Sequence, residues 1–194
     1  MGSKSTYVRG GFGGLKGRKV EKGDVIVSKA STFIKTPKLF PHPEIISSYS
    51  KEMKLRVILG PDQEMFTDVG LQTFLQSTYE ISPQSDRMGY RTTGPIVEHV
   101  RSADILSEAV VFGTVQIPAN GLPIIMAADR QTTGGYPRIA TIASVDFKKL
   151  AQLMPGDRIM FQPVSVQKAQ ELYRKERQLL SKLKAAIHYR YSCI

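Results

Sequence analysis

The run from Val110 to Ala128, VVFGTVQIPANGLPIIMAA, constrains this chain more than any other segment. Two β-rich stretches flank Asn120-Gly121, the strongest short-range hairpin signal a sequence carries. Gly113, inside the first stretch, points to a bulge or a close backbone crossing. Further strands are expected at Leu55–Leu59, Tyr79–Ile81, Arg138–Val145 and Arg158–Phe161, with Pro155-Gly156-Asp157 turning into the last. The spacing of Phe66, Val69 and Leu75 predicts a short helix from Pro61 to Gln76. Asp146 reads as the cap of another that ends near Leu153. From Ser165 the period changes. Val166, Ala169, Leu172, Leu179, Leu180 and Leu183 predict a C-terminal helix capped by Ser165. Many short strands, turns rich in Gly and Pro, and little helix predict a β-barrel or sandwich. Glycines placed inside strands favour the barrel.

Charge sets the class of partner. The chain of 194 residues has a formal net charge of +10, concentrated at its ends: +7 over residues 1–54 and +5 over residues 168–194. The scattered N-terminal lysines match no nucleic-acid-binding motif, so a nucleic-acid partner is not expected. No apolar run is long enough for a membrane span, and the N-terminus lacks a signal-peptide core. A single cysteine, Cys193, excludes an internal disulfide framework. These features read as a cytoplasmic protein. The glycines of residues 9–23 (RGGFGGLKGRKVEKG) satisfy neither the Walker A pattern nor G-x-G-x-x-G, because Lys16 stands at the closing position. Lys22-Gly23-Asp24 is expected to turn into Val25-Ile26-Val27, and residues 36–43 to form an extended Pro-rich connector. His42, His99 and His188 sit beside no nucleophile motif and form no metal-ligand spacing, so neither a catalytic triad nor a metal is expected.

One loop stands apart. Asp129 to Pro137 offers a carboxylate, the Arg130 cation, the hydroxyls of Thr132, Thr133 and Tyr136, the Gln131 amide, and backbone N–H groups around Gly134-Gly135. Such parts suit an oxyanion or phosphate pocket. They equally suit a structural loop with an Asp129–Arg130 surface pair. Arg87, Gly89 and Arg91 are expected on one face of the strand after Ile81, with Met88 and Tyr90 on the other, so that the two arginines can clamp a carboxylate or phosphate bidentately.

Four segments taken in order, Ser85–Arg91 (SDRMGYR), Gln116–Pro123 (QIPANGLP), Ala128–Ala140 (ADRQTTGGYPRIA) and Leu153–Asp157 (LMPGD), resemble the KipA family. Ser5–Gly14 (STYVRGGFGG) agrees. This family also goes by the names of the C subunit of 5-oxoprolinase and the second subunit of allophanate hydrolase. It is similar to half of the carboxyltransferase domain of biotin-dependent urea carboxylase. Its members are longer at the N-terminus, so the chain resembles a C-terminal portion. The resemblance implies a mainly β fold: a cyclophilin-like β-barrel with short helices and a C-terminal helix. The expected parts are a Gly-rich basic segment packing on the barrel (1–54), the barrel core (55–165), and a basic helix and tail (166–194). It further implies a KipI-like partner and a LamB/YcsF-like partner, together forming an ATP-dependent enzyme that opens 5-oxoproline to glutamate. It also implies relief of KipI inhibition of a sporulation sensor kinase. Under this reading Asp129, Arg130, Thr132, Thr133 and Tyr136 are catalytic. Arg87, Arg91, Asn120, Gln131, Gly134, Gly135 and Arg138 bind substrate or phosphate. The alternative is half of a biotin-dependent urea or amide carboxyltransferase, with biotin carried elsewhere.

Overall fold

Alternation is cleanest in the first long strand, β3 (Glu52–Leu59), where Met53, Leu55 and Val57 turn inward and Glu52 and Lys54 face water. The strand begins at Glu52, three residues before the apolar run that announced it. The computed structural model describes residues 3–27 and 50–192, which fall into two compact units, 1–42 and 43–194. The expected Pro-rich connector, His42 and Cys193 lie outside the described residues.

In the first unit β1 (Thr6–Tyr7) pairs with β2 (Phe12–Gly13), and the Tyr7 and Phe12 rings sit 5.3 Å apart. Arg18 grips Asp24 through two hydrogen bonds of 2.8 and 2.6 Å. That pairing holds the Asp24 carboxyl at about 2, through the Arg18 hydrogen bond and then the Glu21 N–H. Val25 to Val27 form no strand and are exposed.

The second unit is a closed seven-stranded barrel with the predicted C-terminal helix. Besides β3 it uses β4 (Thr78–Ile81), β5 (Gly89–Thr93), β7 (Thr114–Gln116), β8 (Ile124–Met126), β10 (Arg138–Ile142) and β11 (Arg158–Pro163). The order is β10-β3-β11-β4-β5-β8-β7. Closure removes the exposed strand edges that an open sheet must protect. All pairings are antiparallel except β3 with β11. A short ribbon joins β6 (Glu108–Ala109) to β9 (Thr133–Gly134). The core contains Leu55, Val57, Tyr79, Ile81, Ile125, Ile139 and Phe161, with Phe74 stacked on Phe161 at 4.3 Å.

The helices depart from the sequence reading in detail. α1 (Asp68–Gln76) starts at its cap Thr67, whose hydroxyl accepts from the Gly70 N–H at 2.9 Å. Phe66 precedes the helix and bridges to His99, Val69 faces solvent, and Phe74 makes the core contact. Asp146 stands at the N-cap of α2 (Phe147–Leu150) but makes no side-chain cap. Instead its fully buried carboxylate accepts from the Arg56 N–H, Nε and Nη2 at 2.8, 2.8 and 2.5 Å. Burial by itself raises the Asp146 pKa. The Arg56 hydrogen bonds and the Lys149 and Arg56 charges outweigh it, so the carboxyl is held below its ordinary value. In α3 (Val166–Ser192) the Ser165 hydroxyl accepts from the Lys168 N–H at 3.1 Å, as expected of its cap.

The hairpin is centred on Asn120 but is wider than a two-residue turn. Gln116 pairs with Ile124, which leaves 117–123 as the connection. Pro118 and Pro123 cannot donate to a tighter ladder. The chain turns at Pro118–Gly121, and the Pro123 carbonyl accepts from Thr92 instead. Gly113, at φ +84°, stands just before β7 and is approached closely by side chains and not by a crossing backbone: a Cβ there would lie 2.8 Å from the Phe147 ring.

Candidate functional site

Pairing beyond the ends of β5 and β8 builds the site. The Ala127 N–H donates to the Met88 carbonyl and the Asp129 N–H to the Arg87 carbonyl, at 2.9 and 2.8 Å. The Asp86 carboxylate shapes the intervening turn by accepting from the Met88 and Gly89 N–H groups. Arg87 therefore lies in the turn before β5 and not on the strand, so the alternation expected to put it on one face with Arg91 does not reach it. Arg91 is exposed on β5.

Arg87 and Asp129 face each other across this junction. Nε and Nη2 meet the two carboxylate oxygens at 2.8 and 3.2 Å. The side chains are 75% and 48% exposed, so the pair adds little to stability and either member can exchange its partner. Beside it opens a pocket of about 390 Å³ with Ile81, Phe112 and Leu153 among its apolar walls and Ser85, Asp86 and Arg87 on its polar side. It combines a charged edge with an apolar lining, as small-ligand sites do.

The loop 129–137 is organised differently from the expected anion cradle. Asp129 pairs with Arg87, not with its neighbour Arg130. Arg130 instead donates from Nε to the Val110 carbonyl at 3.2 Å and from Nη1 to the Ala127 carbonyl at 3.3 Å. The Thr132 carbonyl accepts from Val110, and the Gly135 carbonyl from Ile105. Thr133 and Gly134 form β9 against β6, and the Tyr136 carbonyl accepts from the buried Gln116 side chain at 3.0 Å. Gly134 passes so close to Gln116 that a Cβ would meet Nε2 at 2.8 Å. The loop is thus zipped onto 105–117, with the Gln131, Thr132 and Thr133 side chains outward and Tyr136 40% exposed.

Arg138 is engaged inside the protein. Its Nε and Nη2 meet Asp62 at 2.8 and 3.1 Å, and Nη2 also meets Glu108. Both Arg138 and Asp62 are 14% exposed. Burial by itself raises the Asp62 carboxyl pKa, but the Arg138 hydrogen bonds and charge pull it below the ordinary value. Asn120 lies at the opposite end of β8 from Asp129, where its side chain accepts from the Leu122 N–H. The structure therefore brings together Arg87, Asp129 and the Ala127–Arg130 backbone. It does not gather Asn120 or Arg138 with them, while the Arg91 backbone is tied to the pocket residue Ser85, whose hydroxyl accepts from the Arg91 N–H and donates to the Arg91 carbonyl. Ser85 and Asp86 are among the pocket residues not expected as site residues, although both fall in the SDRMGYR segment. Among the described residues no group of three His, Cys, Asp or Glu side chains could hold a metal ion, and no helix is long and apolar enough to cross a membrane.

The chain is similar in sequence to known proteins. The C subunit of 5-oxoprolinase from Escherichia coli (strain K12) is 34% identical over 188 residues, covering 97% of this chain and 59% of that protein. The Haemophilus influenzae protein of the same name is 33% identical, covering 96% and 59%. The crystal structure of the K. lactis urea amidolyase superposes with a TM-score of 0.71 at 26% identity, over 91% of this chain and 12% of that one. The chain thus spans about 59% of the length of its curated 5-oxoprolinase relatives. Residues 1–163 match the carboxyltransferase domain, subdomain A and B, and the chain belongs to that family.

Proposed function

We propose that this chain works as part of a 5-oxoprolinase, together with a KipI-like and a LamB/YcsF-like subunit, and that the pocket at Arg87 receives the substrate. The observation that carries this reading is the exposed, exchangeable Arg87–Asp129 pair beside a small pocket with apolar walls. 5-Oxoproline is a five-membered lactam bearing one carboxylate. Its carboxylate takes the place of Asp129 on the Arg87 fork, which matches carboxylate geometry bidentately. Its ring lies against Ile81 and Phe112. Asp129, released, sits at the pocket mouth as a hydrogen-bond acceptor. ATP supplies the driving force for ring opening in such an enzyme. The residues here do not fit its phosphates, because Arg130 holds backbone carbonyls and Arg138 holds Asp62 and Glu108. The nucleotide accordingly falls to the partner subunits. The same partner contact accounts for relief of a KipI-type kinase inhibitor.

The likeness to urea amidolyase supports a second reading, half of a biotin-dependent urea or amide carboxyltransferase. Assaying this chain in complex with its partner subunits separates the two. ATP-dependent loss of 5-oxoproline supports the first, and urea-dependent turnover that requires biotin supports the second. In the first case Arg87→Ala raises the KM for 5-oxoproline about tenfold or more, the size of a lost charge-assisted hydrogen-bond pair. An unchanged KM would refute the placement of the substrate.

A further inference from the structure

Helix α3 carries one apolar track with two different settings. Val166, Tyr173, Leu180 and Ile187 follow each other at seven-residue steps, and Ala169, Glu176 and Leu183 fall between them at the spacing of a coiled-coil seam, so the track is apolar except at Glu176. At the inner end the track faces the barrel. Val166, Ala169 and Tyr173 form one wall of a groove of about 400 Å³, and Phe112, Ile142 and Phe147 help line the other. Glu176 closes this part through its ion pair with Lys148 at 3.0 Å. Past Glu176 no described side chain of the helix is buried, and Leu180 and Ile187 remain 46% and 42% exposed. From Glu176 to Ile187 the bare track runs on for about 17 Å.

Charge decides what covers it. Gln170 lines the groove, and the positions one and two heptads further along the same edge are Arg177 and Lys184. No acidic residue follows Glu176. A second copy laid antiparallel on this track would set the two basic edges against each other. The exposed part, two to three turns beyond the groove, also falls well short of the ~800 Å² per partner that a stable pair buries.

We infer that the groove and the outer half of α3 form one docking track for an amphipathic helix of a partner protein, edged with Asp or Glu where it meets Arg177 and Lys184. The inner groove holds the partner's apolar residues and the basic edge fixes its register.

Two labelled helical peptides test this on the full chain by fluorescence anisotropy. Both carry the same Leu/Ile seam; one is edged with Glu and the other with Lys. The Glu-edged peptide binds about tenfold more tightly, the contrast expected of two rim pairs changed from attraction to repulsion. Arg177→Glu with Lys184→Glu reverses the preference and leaves the helix intact by circular dichroism. Leu180→Asp with Ile187→Asp abolishes binding of both. Equal affinity for the two peptides, or a preference that survives the charge reversal, overturns the proposal. So does self-association of the peptide-free chain that is lost in Leu180→Asp/Ile187→Asp, which would make a second copy the occupant. Retention on phosphatidylserine vesicles without peptide binding would likewise assign the track to a membrane surface.

Discussion

Replacing Asp146 by Ala tests how much a buried charge that ties the start of α2 to the outer face of β3 contributes to stability. The carboxylate is fully buried and accepts three hydrogen bonds from Arg56, with Lys149 Nζ 3.2 Å away. Its loss leaves the Arg56 N–H without an acceptor and two cations facing each other. Breaking a buried ion pair costs about 3–5 kcal/mol. The Arg56 side chain is 25% exposed and can draw on water, so the lower end, about 3 kcal/mol, applies. With a urea m-value of roughly 2 kcal/mol/M, the unfolding midpoint falls by about 1.5 M. Asp146→Asn keeps an acceptor for the backbone N–H and loses the charge, so it falls by about half as much. The pH dependence follows from the lowered Asp146 pKa. Stability is fully present above the unfolded carboxyl value of about 3.9 and is lost as pH falls below it toward the folded value. Asp146→Asn therefore flattens the acid limb of the stability curve. A midpoint shift below about 0.5 M for Asp146→Ala, or an acid limb unchanged in Asp146→Asn, refutes the reasoning.

Three further outcomes are expected. Arg138→Ala, which strands the largely buried Asp62 carboxylate, destabilises the chain by about 2–4 kcal/mol, whereas Arg87→Ala costs less than about 1 kcal/mol. Equal urea midpoints for the two variants would show that burial does not separate these pairs. Gly113→Ala forces an L-residue to φ +84° with its Cβ against Phe147 and Ile142. It should cost about 2–4 kcal/mol, read as a lower thermal midpoint, and a neutral result means the backbone has room to relax there. Arg87→Ala should also leave that midpoint within a few degrees of the parent while raising the KM for 5-oxoproline in the complex, a split that a purely structural arginine cannot give.

The parts of the fold that were legible are those governed by neighbours in sequence. The strands at Tyr79, Arg138 and Arg158, the hairpin about Asn120, and the Ser165 cap depend on local alternation, turn chemistry and one side-chain acceptor. What escaped depends on residues far apart. Asp146 has the position of a helix cap, and its burial became visible only once Arg56, 90 residues earlier, was placed beside it. Arg138 is a ligand-binding group only by the family resemblance, and nothing near it in sequence points to its partner Asp62, 76 residues away. Val69 keeps helical spacing with Phe66 and Leu75, yet Phe66 lies before the first turn, so the face the spacing implies does not exist.

The same cause explains why the candidate site shrank to the Arg87–Asp129 pair. A polar loop such as 129–137 looks functional in sequence because each of its donors and acceptors counts as available. A barrel of short strands must satisfy the backbone of its connections as well as that of its ladders, since buried N–H and C=O groups left unpaired cost stability. Here residues 105–117 meet that demand. The β6–β9 ribbon, the Gln116 side chain and the Val110 and Ile105 N–H groups together engage Thr132 to Tyr136 as structure. A residue type that suits an oxyanion also suits a carbonyl, so chemistry alone could not separate the two uses. Exposure does. Arg138 and Asp62 are a largely shielded pair, and Arg87 and Asp129 an open one of like geometry. Of these two pairs, the open one is the one whose exchange of a partner would leave the buried structure undisturbed.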